Sequence, residues 1–115
     1  MRHHNQNRKF GRVTKGRKAL LNSLARSLIL HQKIETTDAK ARELRPFVEK
    51  LLTKSKTDTV SNRRAVTAKV GPGATKVIFG SLSKKYEDRK GGYTRIVKLD
   101  KRLSDGSKMA IISFI

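Results

Sequence analysis

The sequence predicts an α/β (α+β) fold in which about four helices pack on a small three-stranded mixed sheet. Apolar residues recur at helical spacing through most of residues 17–85, which predicts the helices. Short runs rich in β-branched, apolar and aromatic residues, at 33–37, 93–99 and 109–115, predict the strands. A length of 115 residues is enough for one modest core but not for two. We therefore expect a single compact domain over residues 17–115.

A basic extended arm is predicted to precede this domain, over residues 1–16. Its large apolar residues are Met1, Phe10 and Val13, too few to offset the entropy of ordering the chain. We expect the arm to take its final shape on a binding partner; the alternative is a solvated tail. The cations of the arm and of the helix start that follows it are Arg2, Arg8, Lys9, Arg12, Lys15, Arg17 and Lys18.

The first helix is predicted from Arg17 to His31 because its apolar residues fall on one face. They are Leu20, Leu21, Leu24, Ala25, Leu28 and Ile29. A helix lying on a membrane surface would show the same pattern, but a chain of this size needs the face for its core. A short strand is expected next, at residues 33–37, with Ile34 pointing inward.

The second helix is predicted to begin where Thr37 or Asp38 can cap its free amides. Its expected buried stripe is Ala41, Leu44, Val48, Leu51 and Leu52. Pro46 removes one hydrogen bond from this helix, at a cost of roughly 3 kcal/mol if nothing relieves it. Because the apolar period continues beyond Pro46, we expect a kink there rather than a helix end.

A third helix is predicted to open at residues 57–59 and to end at Gly71-Pro72-Gly73, since neither residue type supports a helix interior. A short fourth helix is expected from Ala74 to about Lys85. Within the third helix, Asn62-Arg63-Arg64 suits bidentate recognition of phosphate. A charged triplet on a helix is ordinarily a solvated face, but in so basic a chain we favour contact with a partner.

The pair Gly91-Gly92 predicts a tight turn with positive φ, and residues 93–99 predict a buried strand directly after it. A final hairpin is expected beyond this strand, with its turn at Asp105-Gly106. Tyr93, at the start of the strand, either belongs to the core or stacks on a nucleic-acid base. Cations line this corner of the chain, and those expected to contact a partner are Arg89, Lys90 and Arg95.

Positive charge dominates the composition, with 28 Lys and Arg against 9 Asp and Glu and a formal net charge of +19. Such a chain repels itself when folded, so we expect a polyanionic partner, first nucleic acid and second an anionic membrane surface. No apolar run approaches the roughly 18 residues that cross a bilayer. The basic N-terminus lacks the apolar segment of a secretory signal, so a cytoplasmic protein is expected.

The sequence contains no grouping of residues typical of catalysis or of a metal site. It has no cysteine, which excludes disulfides and thiolate ligands. Two of its three histidines, His3 and His4, lie on the arm with no carboxylate or cysteine at a ligand spacing, so we expect them to contact a phosphate or a base, or to have no role. We therefore expect no enzyme, no metal, no cofactor and no small-molecule substrate.

Four segments of the chain occur together in a recognisable order and spacing. They are Met1-Arg2-His3, residues 36–45 (TTDAKARELR), Asn62-Arg63-Arg64, and Gly91-Gly92-Tyr93-Thr94-Arg95-Ile96. This pattern resembles the family of the seventeenth protein of the bacterial large ribosomal subunit, and the resemblance covers essentially the whole chain.

The resemblance implies a non-catalytic protein bound to large-subunit (23S) rRNA near the mouth of the peptide exit tunnel. Neighbouring large-subunit ribosomal proteins are then its other partners. By motif position the resemblance gives an RNA-contact role to Arg2, His3, Asn62, Arg63, Arg64 and Arg95. The rival hypothesis is a DNA architectural protein, which would bind any duplex and insert apolar wedges between its bases; the arm shows no such wedge.

Overall fold

The computed structural model describes residues 14–115, so the arm before Thr14 lies outside the described residues. Its long helices are α1 (Thr14–His31), α2 (Asp38–Ser55) and α3 (Val60–Val77). Its strands are β1 (Lys33–Thr37), β2 (Thr94–Lys98) and β3 (Met109–Phe114). The predicted α+β class is confirmed, and the helices pack on a single three-stranded sheet. Helix α1 begins at Thr14 rather than at Arg17, the predicted start.

The sheet is antiparallel throughout, so the prediction of a mixed sheet is wrong. Strand β3 lies in the centre and runs antiparallel to both β1 and β2. The two edge strands share a direction but never pair with each other, which is why no parallel ladder forms. Ile34, Ile112 and Ile96 form one row across the three strands and face the helices.

Strand β2 is an edge strand rather than the buried strand that its sequence predicts. Thr94 is 1% exposed, whereas Val97 is 48% exposed. Alternate residues of a strand point to opposite faces, so Arg95 and Val97 lie on the face away from the helices. We call this side the outer face; among residues 14–115 it also carries Lys33, Glu35, Ile111 and Ser113.

Helix α2 follows the sequence prediction closely. Thr37 is its N-cap, because the Thr37 hydroxyl accepts a hydrogen bond from the amide of Lys40 at 3.3 Å. The predicted stripe of Ala41, Leu44, Val48, Leu51 and Leu52 is buried. The helix continues through Pro46, as its apolar period indicates.

The predicted fourth helix is not a separate element, so the count of four helices is slightly off. Gly71 leaves the helical conformation, with φ 85° and ψ 168°, and kinks α3 at the predicted break. The chain then resumes its helical path and passes through a π-helical turn, Ile78–Leu82, into the short helix α4, Ser83–Lys85. Glycine tolerates this positive φ, and Pro72 suits the first position of the resumed helix.

One apolar core joins all these elements. Leu28 and Ile29 of α1 and Ile78 of the π-helical turn are fully buried in it, together with Ile112 of the central strand. Because the core takes one side of every helix, the opposite sides remain available for the basic residues.

Candidate nucleic-acid interface

A basic depression of about 440 Å³ lies where α1, α2 and α3 meet. Arg17 and Lys18 line it from the first turns of α1, Lys50 from α2 and Lys69 from α3. Phe47 also lines it, and Lys69 Nζ lies 5.4 Å from the centroid of this ring. Cations from three helices therefore converge on one concave surface.

A second depression, of about 560 Å³, continues this surface along α2. The two depressions share Pro46 and Lys50, and the second extends to the loop before β2. We call the combined surface the basic groove. The cations that line it are Arg17, Lys18, Lys50, Lys54, Lys69 and Lys90.

Glu49, one of the two carboxylates that line the groove, makes its contacts with residues other than the groove lysines. Glu49 Oε2 accepts hydrogen bonds from Thr94 N at 3.3 Å and from Thr94 Oγ1 at 3.1 Å. The same oxygen lies 3.8 Å from Nε of Arg45, a residue that does not line the groove. Among residues 14–115, no groove lysine lies within 4.0 Å of a carboxylate. The lysines keep their charge available to an external anion.

The sequence identified only part of the groove. Arg17, Lys18 and Lys90 were among the predicted contact residues, but Lys50 and Lys54 of α2 and Lys69 of α3 were not. The two α2 lysines stand four residues apart on the side of the helix away from its buried stripe, which is a signal the sequence does carry. Lys69 gives no such signal, because only the packing of α3 beside α1 and α2 brings it to the groove.

Two residues of the predicted triplet make structural contacts at the start of α3. The side-chain amide of Asn62 donates to the carbonyl oxygens of Thr57, at 2.8 Å, and Lys54, at 3.3 Å. Arg63 donates Nε to Asp58 Oδ1 at 2.5 Å and Nη2 to Oδ2 at 2.8 Å. Arg64 is exposed beside them. The triplet lies outside the basic groove, since none of its members lines either depression.

The Arg63 guanidinium has two further effects on its surroundings. Its hydrogen bonds hold the pKa of Asp58 below the ordinary value of 3.8, an effect that slight desolvation only partly opposes. Its Cζ atom also lies 4.9 Å from the centroid of the Phe79 ring. Arg63 therefore ties the segment before α3 to the helical segment after the kink.

The remaining predicted cations are distributed over separate surfaces. Arg89 folds back so that Nε donates to the Gly91 carbonyl at 3.2 Å. Arg95 is exposed on the outer face, in register with Ser113 and through it with Lys33. Lys15 is exposed in the first turn of α1. The other predicted residues lie outside the described part of the chain: Arg2, His3, His4, Arg8, Lys9 and Arg12.

Tyr93 belongs to the core, which decides between its two sequence-based interpretations. It is 0% exposed, and its ring centroid lies 5.4 Å from that of Tyr86. Its hydroxyl donates to the Arg89 carbonyl at 3.1 Å and lies 3.2 Å from Thr53 Oγ1. Burial raises the pKa of Tyr93, but the nearby Lys56 ammonium and the Thr53 hydroxyl lower that pKa by more, so the net shift is downward. No face of this ring is open to a base.

The described part of the chain offers neither a cluster of metal ligands nor a membrane-spanning helix. Over residues 14–115, no three His, Asp or Glu side chains come together as metal ligands would. None of the helices in that range has the length and apolar character needed to cross a bilayer.

Comparison with known proteins gives the family. Residues 20–115 match the family described as ribosomal protein L17. The chain is 47% identical to the large ribosomal subunit protein bL17 of Nautilia profundicola, over 100% of this chain and 98% of that protein. It is 47% identical to bL17 of Hydrogenobaculum sp., over 100% and 99%, and 45% identical to bL17 of Methylacidiphilum infernorum, over 99% and 88%. The chain therefore belongs to the ribosomal protein L17 family.

Proposed function

We propose that this chain is a structural component of the large ribosomal subunit that binds and stabilises folded large-subunit (23S) rRNA. Three relatives that match nearly its whole length are named as large-subunit ribosomal proteins. On this proposal the protein supports translation without catalysing a reaction. Its place near the peptide exit tunnel, and its contacts with neighbouring large-subunit proteins, follow the family resemblance.

The observation that carries the proposal is the basic groove. Lysine is a compact point charge, and cations held along a concave path suit a phosphate backbone. The groove lies on helices packed against the core, so these cations are held on a rigid frame. Paired RNA is recognised mainly through its shape and backbone, and a groove of this kind needs no base-edge contact.

The remaining predicted residues complete the proposed interface. The arm precedes Thr14 and leads into the end of α1 that supplies Arg17 and Lys18 to the groove. We place it between RNA helices, where its cations meet further phosphates. Arg64 and Arg95 are exposed and offer guanidinium groups to RNA beyond the groove.

The groove is tested by the double variant Lys50→Ala/Lys69→Ala binding to a transcript of large-subunit rRNA. We expect the affinity to fall more than tenfold near 0.1 M salt, because two phosphate contacts are lost. The slope of log affinity against log salt should shrink by about 1.5, since each contact contributes roughly 0.7–0.9. Filter binding at several salt concentrations measures both quantities.

The matched control is Lys76→Ala/Lys84→Ala, which removes the same charge from exposed positions outside the groove. It should lose clearly less affinity than the groove variant. Equal losses in the two variants would show that the groove has no special role. Random duplex DNA serves as a competitor: if it displaces the protein from rRNA at equal concentration, the architectural DNA hypothesis replaces the ribosomal one.

A further inference from the structure

The loop that leads into β2 is fastened to α2 at its upstream end. We call residues 89–92 the glycine loop. The Arg89 carbonyl accepts hydrogen bonds from Lys56 Nζ and from Tyr93 Oη. Lys56 Nζ also lies 4.9 Å from the centroid of the Tyr93 ring. A buried tyrosine and Lys56, the C-cap residue of α2, thus fix where the loop begins.

Glu49 fastens the downstream end. Its carboxylate accepts from both the amide and the hydroxyl of Thr94, the residue that follows the loop and Tyr93. On the side of β2 that faces β3, the Tyr93 carbonyl accepts from Ile115 N–H and the Leu99 N–H donates to the Met109 carbonyl. Because alternate residues of an antiparallel strand bond to the same neighbour, the Thr94 amide points away from β3, to the free edge of the sheet. Glu49 therefore satisfies an edge amide that β3 cannot reach. Although Glu49 lies in the basic groove, its carboxylate makes hydrogen bonds that hold the downstream end of the loop.

Between these two attachments Lys90 is exposed, and Gly91 and Gly92 are half-buried. Gly91 has φ 146° and Gly92 has φ 62°, so a side chain at either position would be strained. A Cβ atom added at either glycine would meet no atom within 4 Å. Among residues 14–115, the N–H groups of residues 90–92 donate to no carbonyl oxygen. The glycines therefore serve the conformation of an accessible main chain and do not fill a packed space.

The surroundings of the loop are cationic. Gly91 and Lys90 line the basic groove next to Lys50 and Lys54 of α2. The Arg89 guanidinium lies against the loop, because its Nε donates to the Gly91 carbonyl. Unpaired main-chain amides beside fixed cations are a typical environment for a phosphate group.

We propose that the glycine loop is a main-chain phosphate site, in which the amides of Gly91 and Gly92 bind one RNA phosphodiester. Lys54, Lys90 and Arg89 supply the charge. Glu49 is a positioning residue: it holds the loop in place and does not touch the phosphate. The inference rests on the proposed function, because the phosphodiester is that of the bound rRNA.

The role of Glu49 can be tested because the expected change in RNA affinity is opposite in sign to the change that loss of a negative charge would cause by itself. Glu49→Ala removes a negative charge from the groove, which by itself would tighten RNA binding. We expect it instead to weaken binding to the rRNA transcript about tenfold, because the loop loses its downstream attachment. Glu49→Gln keeps an oxygen that accepts from Thr94, so it should bind at least as tightly as the wild type. Equal or tighter binding by Glu49→Ala than by Glu49→Gln overturns the proposal.

The control Glu35→Ala removes one negative charge from the outer face and reports the effect of net charge alone. If the wild type itself fails to bind rRNA, the proposed function fails. If the wild type binds but Glu49→Ala and Glu49→Gln have equal affinities for rRNA, only the loop proposal fails.

A second measurement uses the ¹⁵N-labelled wild-type protein, titrated with inorganic phosphate. The amide resonances of Gly91 and Gly92 should shift and saturate, whereas that of Gly106, an exposed glycine with φ 69°, should not. Shifts at Gly91 and Gly92 no larger than that at Gly106 also overturn the proposal.

Discussion

Arg63 illustrates how one exposed side chain can organise its neighbourhood. Its guanidinium makes a bidentate contact with Asp58, just before α3, and lies over the ring of Phe79 beyond the kink. The contact with the ring matters because planar guanidinium groups stack on aromatic faces without losing their hydrogen bonds. Arg63 retains an Nη1 group for an external phosphate, so its structural contacts and the proposed RNA contact are compatible.

The Asp58–Arg63 pair predicts how stability depends on pH. Because the folded pKa of Asp58 is lowered from 3.8, the folded protein binds this proton less readily than the unfolded chain does. The pair therefore stabilises the fold above pH 3.8, and this contribution is lost as the pH falls through the folded pKa. We expect Asp58→Asn to lower the melting temperature at pH 6 and the difference to vanish in stronger acid.

Melting curves of Asp58→Asn and wild type, followed by circular dichroism from neutral pH to about pH 2, measure this difference. Asp88→Asn is the control, since Asp88 is also exposed and forms no ion pair with the described residues. A difference between Asp58→Asn and wild type that persists unchanged in acid would contradict the expectation.

Helices and strands differ in how far the sequence predicts them. The stripe from Ala41 to Leu52 and the cap at Thr37 are local patterns, and both are correct. The direction and order of the strands depend on which distant segments meet, and no local pattern encodes that. Residues 93–99 have strand composition, but composition does not distinguish a central strand from an edge. That is why β2 was expected to be buried although Val97 is half-exposed.

Pro46 offers a test at the level of the helix. It lies inside α2, where it cannot donate to the carbonyl oxygen one turn earlier. Pro46→Ala restores that bond and should raise the free energy of unfolding by about 2 kcal/mol. This value is the gain in helix stability less the stability lost because alanine gives the unfolded chain more conformational entropy. Urea denaturation should show a higher midpoint with an unchanged slope.

Lys50→Ala is the matched control for this prediction, because it also introduces alanine on the exposed side of α2. It should change the stability by no more than about 0.5 kcal/mol. A Pro46→Ala variant no more stable than the wild type would mean that α2 already relieves the missing bond.

At the scale of the whole molecule, the net charge indicates a kind of partner, whereas the groove that we propose as its binding surface depends on how the helices pack. The net charge of +19 already indicates a polyanion. The groove, in contrast, requires α1, α2 and α3 to bring Lys18, Lys50 and Lys69 together across separate segments. Its lining includes Phe47, an uncharged residue that composition could not single out.

The excess of cations predicts that salt stabilises the free protein. Screening between like charges improves as the Debye length falls from about 10 Å at 0.1 M to about 3 Å at 1 M. We expect the melting temperature of the protein without RNA to rise by about 5 °C between these concentrations. The affinity for rRNA should fall over the same range, so the two quantities should change in opposite directions.

Differential scanning calorimetry in sodium chloride and in sodium fluoride measures this effect. Equal increases with the two anions attribute it to screening rather than to binding of one anion. A melting temperature that falls with added salt would show that self-repulsion does not limit the stability of the fold.

The central position of β3 has a consequence for how the chain folds as it is synthesised. The ribosome makes β1 early and β3 only after β2, yet β3 is the strand that both of the others need. Until residues 109–114 have emerged, β1 and β2 cannot pair through the native ladder, and the helices can form only a partial core. The complete tertiary structure therefore waits for β3, and until β3 arrives the backbone edges of β1 and β2 that face it stay unpaired.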